Sequence, residues 1–511
     1  MKIPITSCAQ ALCRRTLLVG VMLVMAGCAI QPKPIDPAPE AVQAQIKLKA
    51  LIASEEPLKG PLSLYEAMAR ALKYNLDQKI EVMDEALRFK KLDLAGYDML
   101  PAVVASTGYS RRNNDAGGRS RSLVTGNQSL EASTSSDRGV RTSDLTASWD
   151  VLDFGLAYVR GMQAADETLI AVERRRKVTN RILEDVRTAF WRAVSADRTF
   201  KKLSDVETLA LRALRESEEL EARGLVPPLA LLAYQRDLIQ TQSEAQRLRR
   251  ELSLAKTQLA ALINLTPETE FTLLLPDRTN VVPELPGAAD EMVLTGLRFR
   301  PEMREAAYRR HINTLEQEGA FLRSLPSVKS LLGLSTDSNS YLANGSWLNM
   351  SARVSWNLLE VFRYPAQKAA LQAESAVLEQ RDLALTMAVA TQVQVSRIRF
   401  VKLSQELNSV RRANSVQERI LELSRRSFKA KAVSQQNLVR EEFNAALSEV
   451  RYDAAYADLQ NAYANLYASM GLDNFEIDVK SDTSIDQIAA LLESHWTERA
   501  LTLPAMPESK P

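Results

Sequence analysis

Asp153-Phe154-Gly155 is the first place where this sequence could do chemistry, because protein kinases use that tripeptide to hold a metal ion against a nucleotide. No glycine-rich phosphate loop and no matching catalytic loop accompanies it, so Asp153 reads instead as the N-cap of a following helix. The two histidines, His311 and His495, have no partner at metal-ligand spacing. Carboxylates in the helical stretches are interleaved with bases, as in Glu216-Ser217-Glu218-Glu219 and Arg174-Arg175-Arg176-Lys177, which is the pattern of a solvated face. With no nucleophile set against a base, no metal cage and no cofactor loop, the chain reads as a non-enzyme without cofactors. Its 65 Lys and Arg nearly balance its 63 Asp and Glu, which argues against nucleic acid as a partner.

One residue does carry covalent chemistry. Lys2, Arg14 and Arg15 form a basic region, Leu17 to Ala26 an apolar one, and Met25-Ala26-Gly27-Cys28 a small-residue cleavage site. The last four resemble a bacterial lipobox, with Met25 where Leu is usual. Residues 1–27 then form a signal peptide, and Cys28 becomes the lipidated first residue of the mature chain. By resemblance to lipoprotein sorting, Ala29 in place of Asp favours the outer membrane. Cys8 and Cys13 leave with the signal, so no thiol is left to pair in an oxidising compartment. Loss of the three bases takes the formal charge from +2 to −1. No other stretch is long and apolar enough for a membrane-spanning helix. Residues 28–61, rich in proline, read as a tether, and the body starts at Ser63, an N-cap with Glu66 three residues on.

The elements that follow occur twice. Adding 207 to each position carries Trp149 onto Trp356, Asp153 onto Glu360, Val226 onto Val433 and Leu265 onto Leu472 without a gap. The first repeat spans 62–265, a proline-broken linker 266–290, the second repeat 291–472 and a polar tail 473–511, with one short helix at about Ser484 to Ala500. Each repeat opens with a helical segment, Ser63 to Met99 or Glu302 to Leu322, that ends at Leu100-Pro101 or Leu325-Pro326. A period of two then predicts strands at about 102–112 and 142–153, and again at 327–336 and 346–360. Between Gly161 and Gly224 there is neither glycine nor proline. The series Ile182, Val186, Ala189, Ala193, Ala196, Phe200, Leu203, Val206, Ala210, Ala213 keeps coiled-coil spacing. From Gly155 this predicts a rod of roughly 100 Å that stops at Gly224-Leu225-Val226-Pro227-Pro228 and returns from Leu229 to about Ile263. In the second copy only the 207 offset locates the reversal, near Lys431.

The strands have one apolar and one polar face, as in a transmembrane β-barrel, and four are too few to close the smallest barrel of about eight. Two chains would supply eight strands and three would supply twelve, and counting does not choose between them.

The lipobox, the duplicated helix–strand–strand–long helix–helix unit, Leu-Pro before the first strand and Trp-x-x-Leu-Asp-x-Gly after the second resemble the TolC family of outer-membrane efflux and secretion ducts. The resemblance covers roughly residues 62–472. It implies a mainly α fold with a β-barrel part: a homotrimer with a twelve-stranded barrel in the outer membrane and a coiled-coil α-barrel crossing the periplasm. It implies a passive channel of a tripartite efflux or type I secretion system, with a periplasmic adaptor and an inner-membrane transporter as partners. Arg223, Gly224, Leu225 and Val226 match the adaptor-docking tip; the second tip, Lys431-Ala432-Val433-Ser434, lacks the glycine. Where well-known members place two acidic residues at the pore constriction, this chain has Asn437 and Arg440, with Glu441 and Glu442 nearby. The alternative is a structural coiled-coil lipoprotein whose hairpins pack on its own surface.

Overall fold

A computed structural model describes residues 37–53, 56–223, 227–265, 269–278, 282–472 and 483–499, together with Leu503. The lipidation residue Cys28 lies outside the described residues, as do Gly224, Leu225 and Val226 of the first tip. The chain divides into two units, residues 1–57 and 58–511. In the first, where a proline tether was expected, a helix α1 forms over Pro37–Ala53. Its prolines, Pro37 and Pro39, sit in the first turn, where a missing N–H costs nothing, and Glu40 onward is free of Pro and Gly.

In the second unit the expected helix from Ser63 to Met99 is two helices, α2 (Leu64–Tyr74) and α3 (Leu76–Tyr97). Ser63 is the N-cap, its Oγ accepting from Glu66 N at 3.1 Å. The break is Asn75, whose side chain accepts from Asp77 N and Gln78 N and donates to the carbonyl of Leu262. An asparagine that satisfies the first N–H groups of the next helix makes a new start cheaper than continuation.

Strands β1 (Ala102–Arg111), β2 (Gly139–Asp150), β3 (Ser327–Asp337) and β4 (Ser346–Ser355) form one antiparallel sheet in that order. The second strand of each pair ends sooner than expected, because the helices begin earlier. Helix α4 covers Val151–Ala222 and α8 covers Leu358–Lys429, 72 residues each. The cap of α4 is therefore Asp150, not Asp153: its carboxylate accepts from Leu152 N at 2.9 Å and from Asp153 N at 3.3 Å. Asn357, 207 positions on, does the same for α8 through Leu359 N. At 1.5 Å per residue each rod is roughly 110 Å long. Gly155 and Pro365 both lie inside these helices.

The return helices are α5 (Pro228–Leu262) and α9 (Gln435–Ser469), so the 207 offset holds at both ends of both long hairpins. Between the hairpins lie α6 (Ala289–Phe299) and α7 (Pro301–Arg323), the second-repeat counterparts of α2 and α3. The tail helix α10 (Ile485–Arg499) buries Ile485, Ile488 and Leu492 in the main core. Its Trp496 meets Tyr463 and Tyr467 edge-on.

The main core gathers where α2, α4, α9 and α10 meet, around Phe190, Trp191, Tyr456, Tyr463 and Tyr467. Smaller clusters continue along the hairpins, Leu203, Val206, Ala245, Phe443 and Val450, then Ala210, Ala213, Leu238 and Val439. The predicted seam of α4 is thus buried except at Phe200, which lies partly exposed under the guanidinium of Arg249, 4.8 Å from the ring centre. The linker is tied across this layer. Asp453 on α9 takes Arg278 at 2.7 Å and Arg198 of α4 at 3.0 Å, and Arg198 also donates to the carbonyl of Pro276. Burial pushes the Asp453 carboxyl above its ordinary range, against the pull of Arg278 and Arg198.

Candidate duct wall, helix tips and constriction

The strand register sorts the side chains of the sheet into two faces. On one face, Val103, Ala147, Leu332 and Met350 lie abreast across the four strands, and beside them Ala105, Leu145, Leu334 and Leu348. Toward the helices this face continues in Trp149, Ala352, Val328 and Val354; toward the loops it gives way to Thr107, Ser143, Thr336 and Ser346. The opposite face carries Ser106, Asp144 and Ser335 in one row and Asp150, Lys329 and Arg353 in another, with Val104, Val140, Leu331 and Trp347 as apolar exceptions. Four strands from two separate hairpins share one apolar face, and nothing among the described residues covers it. Met350 is 79% exposed and Val354 69%.

The sheet is open. Its outer strands β1 and β4 each present one unpaired edge among the described residues, a row of backbone donors and acceptors that invites another strand. Trp149 and Trp356 mark the helix end of the apolar face, Trp149 packed edge-on to Phe154 and Trp356 donating to the carbonyl of Ser324 at 3.0 Å.

A second uncovered surface lies on α3. Leu76, Ile80, Met83, Leu87, Leu94 and Tyr97 recur at spacings of three, four and seven and are all exposed, Met83 by 68%. A helical stripe of this kind is a packing face without its partner. Helix α8 exposes a comparable series, including Leu383, Met387, Ile398, Val416, Ile420 and Leu423. The sequence carries the α3 stripe in the same periodicity as the buried Ala67 and Ala71 of α2; only the break at Asn75 separates the inward face from the outward one.

At the far end of the long hairpins, Arg223 is the exposed C-cap of α4, its N–H bonded to Glu219 O. The second tip has a defined turn. Lys431, at the position equivalent to Gly224, takes φ 58°. Its N–H bonds Phe428 O and that of Ala432 bonds Ser427 O, both at 2.9 Å. That is a Schellman closure built without glycine. Ser434 then caps α9, its Oγ accepting from Asn437 N.

Asn437 and Arg440 are one helical turn apart on α9 and both are exposed, while Val439 between them is buried. Arg440 lies 3.4 Å from Glu441. Glu441 and Glu442 point back to α8, Glu441 accepting from Gln417 at 2.9 Å and Glu442 pairing with Arg425 at 3.2 Å. The exposed charge at this level is therefore Arg440. His311, which had no partner in the sequence pattern, pairs with Asp166 across α7 and α4 at 2.6 Å.

No protein-family model matches the chain, and no curated protein does. Solved structures do. The Campylobacter jejuni outer-membrane channel CmeC matches with TM-score 0.63 over 84% of this chain and 89% of that one, at 13% identity. The open state of the Neisseria gonorrhoeae outer-membrane channel MtrE matches with TM-score 0.59 over 80% and 89%, at 18% identity. The outer membrane protein VceC of Vibrio cholerae matches with TM-score 0.60 over 80% and 96%, at 12% identity. At such identities the likeness is one of architecture: this chain has the fold of the TolC-like outer-membrane channels.

Proposed function

We propose that this protein is the outer-membrane channel of a tripartite efflux or type I secretion machine, a homotrimeric duct lipidated at Cys28. The observation that carries the reading is the sheet: four strands of 10 to 12 residues, long enough to cross a bilayer, with one uncovered apolar face and two open edges. Lipid satisfies the face and neighbouring copies satisfy the edges; three copies make twelve strands. The uncovered stripes of α3 and α8 support the same closure further down, since each needs a partner helix that is lacking among the described residues. The fold shared with CmeC and MtrE supports a channel rather than an enzyme. Energy comes from an inner-membrane transporter, reached through a periplasmic adaptor that docks on the tip at Arg223, Gly224, Leu225 and Val226. Purified mature protein in detergent is expected to have the mass of a trimer and to form conducting pores in planar bilayers. A monomer, or a bilayer that stays silent, rules the duct out and favours the coiled-coil lipoprotein.

Within this reading Asn437 and Arg440 line the constriction, and in a trimer Arg440 gives a ring of positive charge. One charge acts on an ion about 5 Å away with roughly 0.8 kcal/mol in water. Three together act with roughly 2.5 kcal/mol, which concentrates an anion at the ring on the order of seventyfold before salt screening. Arg440→Asp is expected to reverse the sign of the reversal potential in a salt gradient, with open-pore stability unchanged. An unaltered potential removes Arg440 from the pore.

A further inference from the structure

The apolar face of the sheet ends differently at its two ends. At the helix end it carries tryptophan and no charge, because Lys329 and Arg353 stand on the polar face. At the loop end the hydroxyl row of Thr107, Ser143, Thr336 and Ser346 is followed by Tyr109 opposite Arg141, and then by Arg111 opposite Gly139. Arg111 and Arg141 are thus diagonal neighbours on one face, within mutual reach of long side chains. Gly139 leaves the room that Tyr109 uses: a Cβ there would lie 3.1 Å from the tyrosine hydroxyl.

These arginines lack an anion. The segment 111–141 holds six arginines against Asp115, Glu131 and Asp137. Asp115 is taken by Arg138 through two bonds of 2.7 Å, and Asp137 by Ser340 N and Oγ at 2.6 and 3.0 Å. Asp337, at the start of the next turn, accepts from Asn339 N at 2.8 Å. No hydrogen bond or ion pair of the Arg111, Arg112, Arg119 or Arg141 guanidinium occurs among the described residues, and all four are exposed. A guanidinium is the side chain best shaped for phosphate, which it can grip through two parallel bonds.

We propose that Arg111 and Arg141, flanked by Tyr109, bind the phosphate groups of anionic membrane lipid in the leaflet on the loop side of the sheet. Along the strand the order apolar, hydroxyl, tyrosine, arginine follows the order of hydrocarbon, ester region and phosphate across a membrane surface. The occupant is a lipid because the site continues the face that lipid covers, and it rests on the duct reading in that respect. The single-ended placement confines it to one leaflet.

The test uses the full mature protein in vesicles of equal parts phosphatidylcholine and phosphatidic acid, with boundary-lipid preference read from spin-labelled lipids. Wild type is expected to enrich phosphatidic acid over phosphatidylcholine by about fivefold per arginine. Arg111→Gln/Arg141→Gln is expected to lose the preference while still conducting, and Arg353→Gln, on the polar face, to keep it. Retention of the preference in the double variant overturns the site, as does its abolition by inorganic phosphate, which would make free phosphate the ligand. So does a preference that vanishes equally in Arg353→Gln, or a wild type that inserts and conducts without any preference. Protein that never enters the vesicles overturns the duct and the site together.

Discussion

Met350→Arg is expected to keep the protein out of the membrane, whereas Ser351→Arg, one residue further along β4, is expected to be tolerated. The two positions differ only in face. Met350 lies abreast of Leu332, Ala147 and Val103, and Ser351 abreast of Leu331 and Ser148 on the opposite face. An arginine on the lipid side of a transmembrane strand costs about 2–4 kcal/mol near the bilayer centre and little on the lumen side. That is a factor of roughly 30 to 900 in the insertion equilibrium of each chain, and in a trimer it applies to three chains at once. The measurement is the fraction recovered as folded oligomer in the outer-membrane fraction. Equal recovery of the two variants would mean that the apolar face does not meet lipid, and the hairpins would then be packing on protein. Composition cannot account for a difference, since both variants add the same residue to the same strand.

Gly471→Ala is expected to destabilise the fold by about 2–4 kcal/mol, the sum of a left-handed backbone cost and an overpacking cost. Gly471 closes α9 with φ 70°, and its N–H bonds Ala468 O. A Cβ there would lie 2.6 Å from the carbonyl carbon of Phe299 and 2.7 Å from Arg300 N. Those are backbone atoms of the joint between α6 and α7 and cannot rotate away. Gly296 of α6 makes a second close approach, its missing Cβ 3.0 Å from Val393 Cγ2 and 3.3 Å from Ser469 O. The first repeat supplies an internal control: Asn264, 207 positions earlier, closes α5 with φ 62° and already carries a side chain. Asn264→Ala is therefore expected to lose only about 1 kcal/mol. Hydrogen exchange over 289–299 should rise in Gly471→Ala and stay unchanged in Asn264→Ala. If the two variants behave alike, the close approach is not what requires glycine.

Much of this was legible in one dimension. A duplication is a one-dimensional fact, and the offset of 207 located the second tip at Lys431 although no glycine marks it. The Schellman closure there forms because backbone bonds, not residue type, define the turn, and lysine accepts the left-handed conformation at modest cost. The strands were visible from their period of two. Their ends were not: the alternation of Trp149, Val151 and Asp153 continues past Asp150, and only the bonds from Leu152 N and Asp153 N show that the helix has begun. The break between α2 and α3 is not legible in the pattern for a related reason. Asn75 is unremarkable inside a helical pattern until its side chain is seen to cap the next turn.

The charged residues near Arg440 show the same division. Sequence placed Glu441 and Glu442 beside Arg440, where three charges would compete. The fold turns Glu442 to Arg425 of α8 and holds Glu441 between Gln417 of α8 and Arg440, leaving the arginine as the exposed member, since successive helical residues point about 100° apart.

By itself, then, the sequence determined the repeat, the order of elements, the length of the rods and the alternation of each strand, because all of these are properties of spacing along a chain. The tertiary structure alone decided which faces remain uncovered. Whether the stripe of α3 is buried like that of α2, whether four separate strand patterns share one side of a sheet, and whether the arginines of 111–141 find an acid all depend on which elements meet. Those contacts join residues from opposite repeats, as when Leu334 comes to lie between Leu145 and Leu348, and no local pattern encodes them.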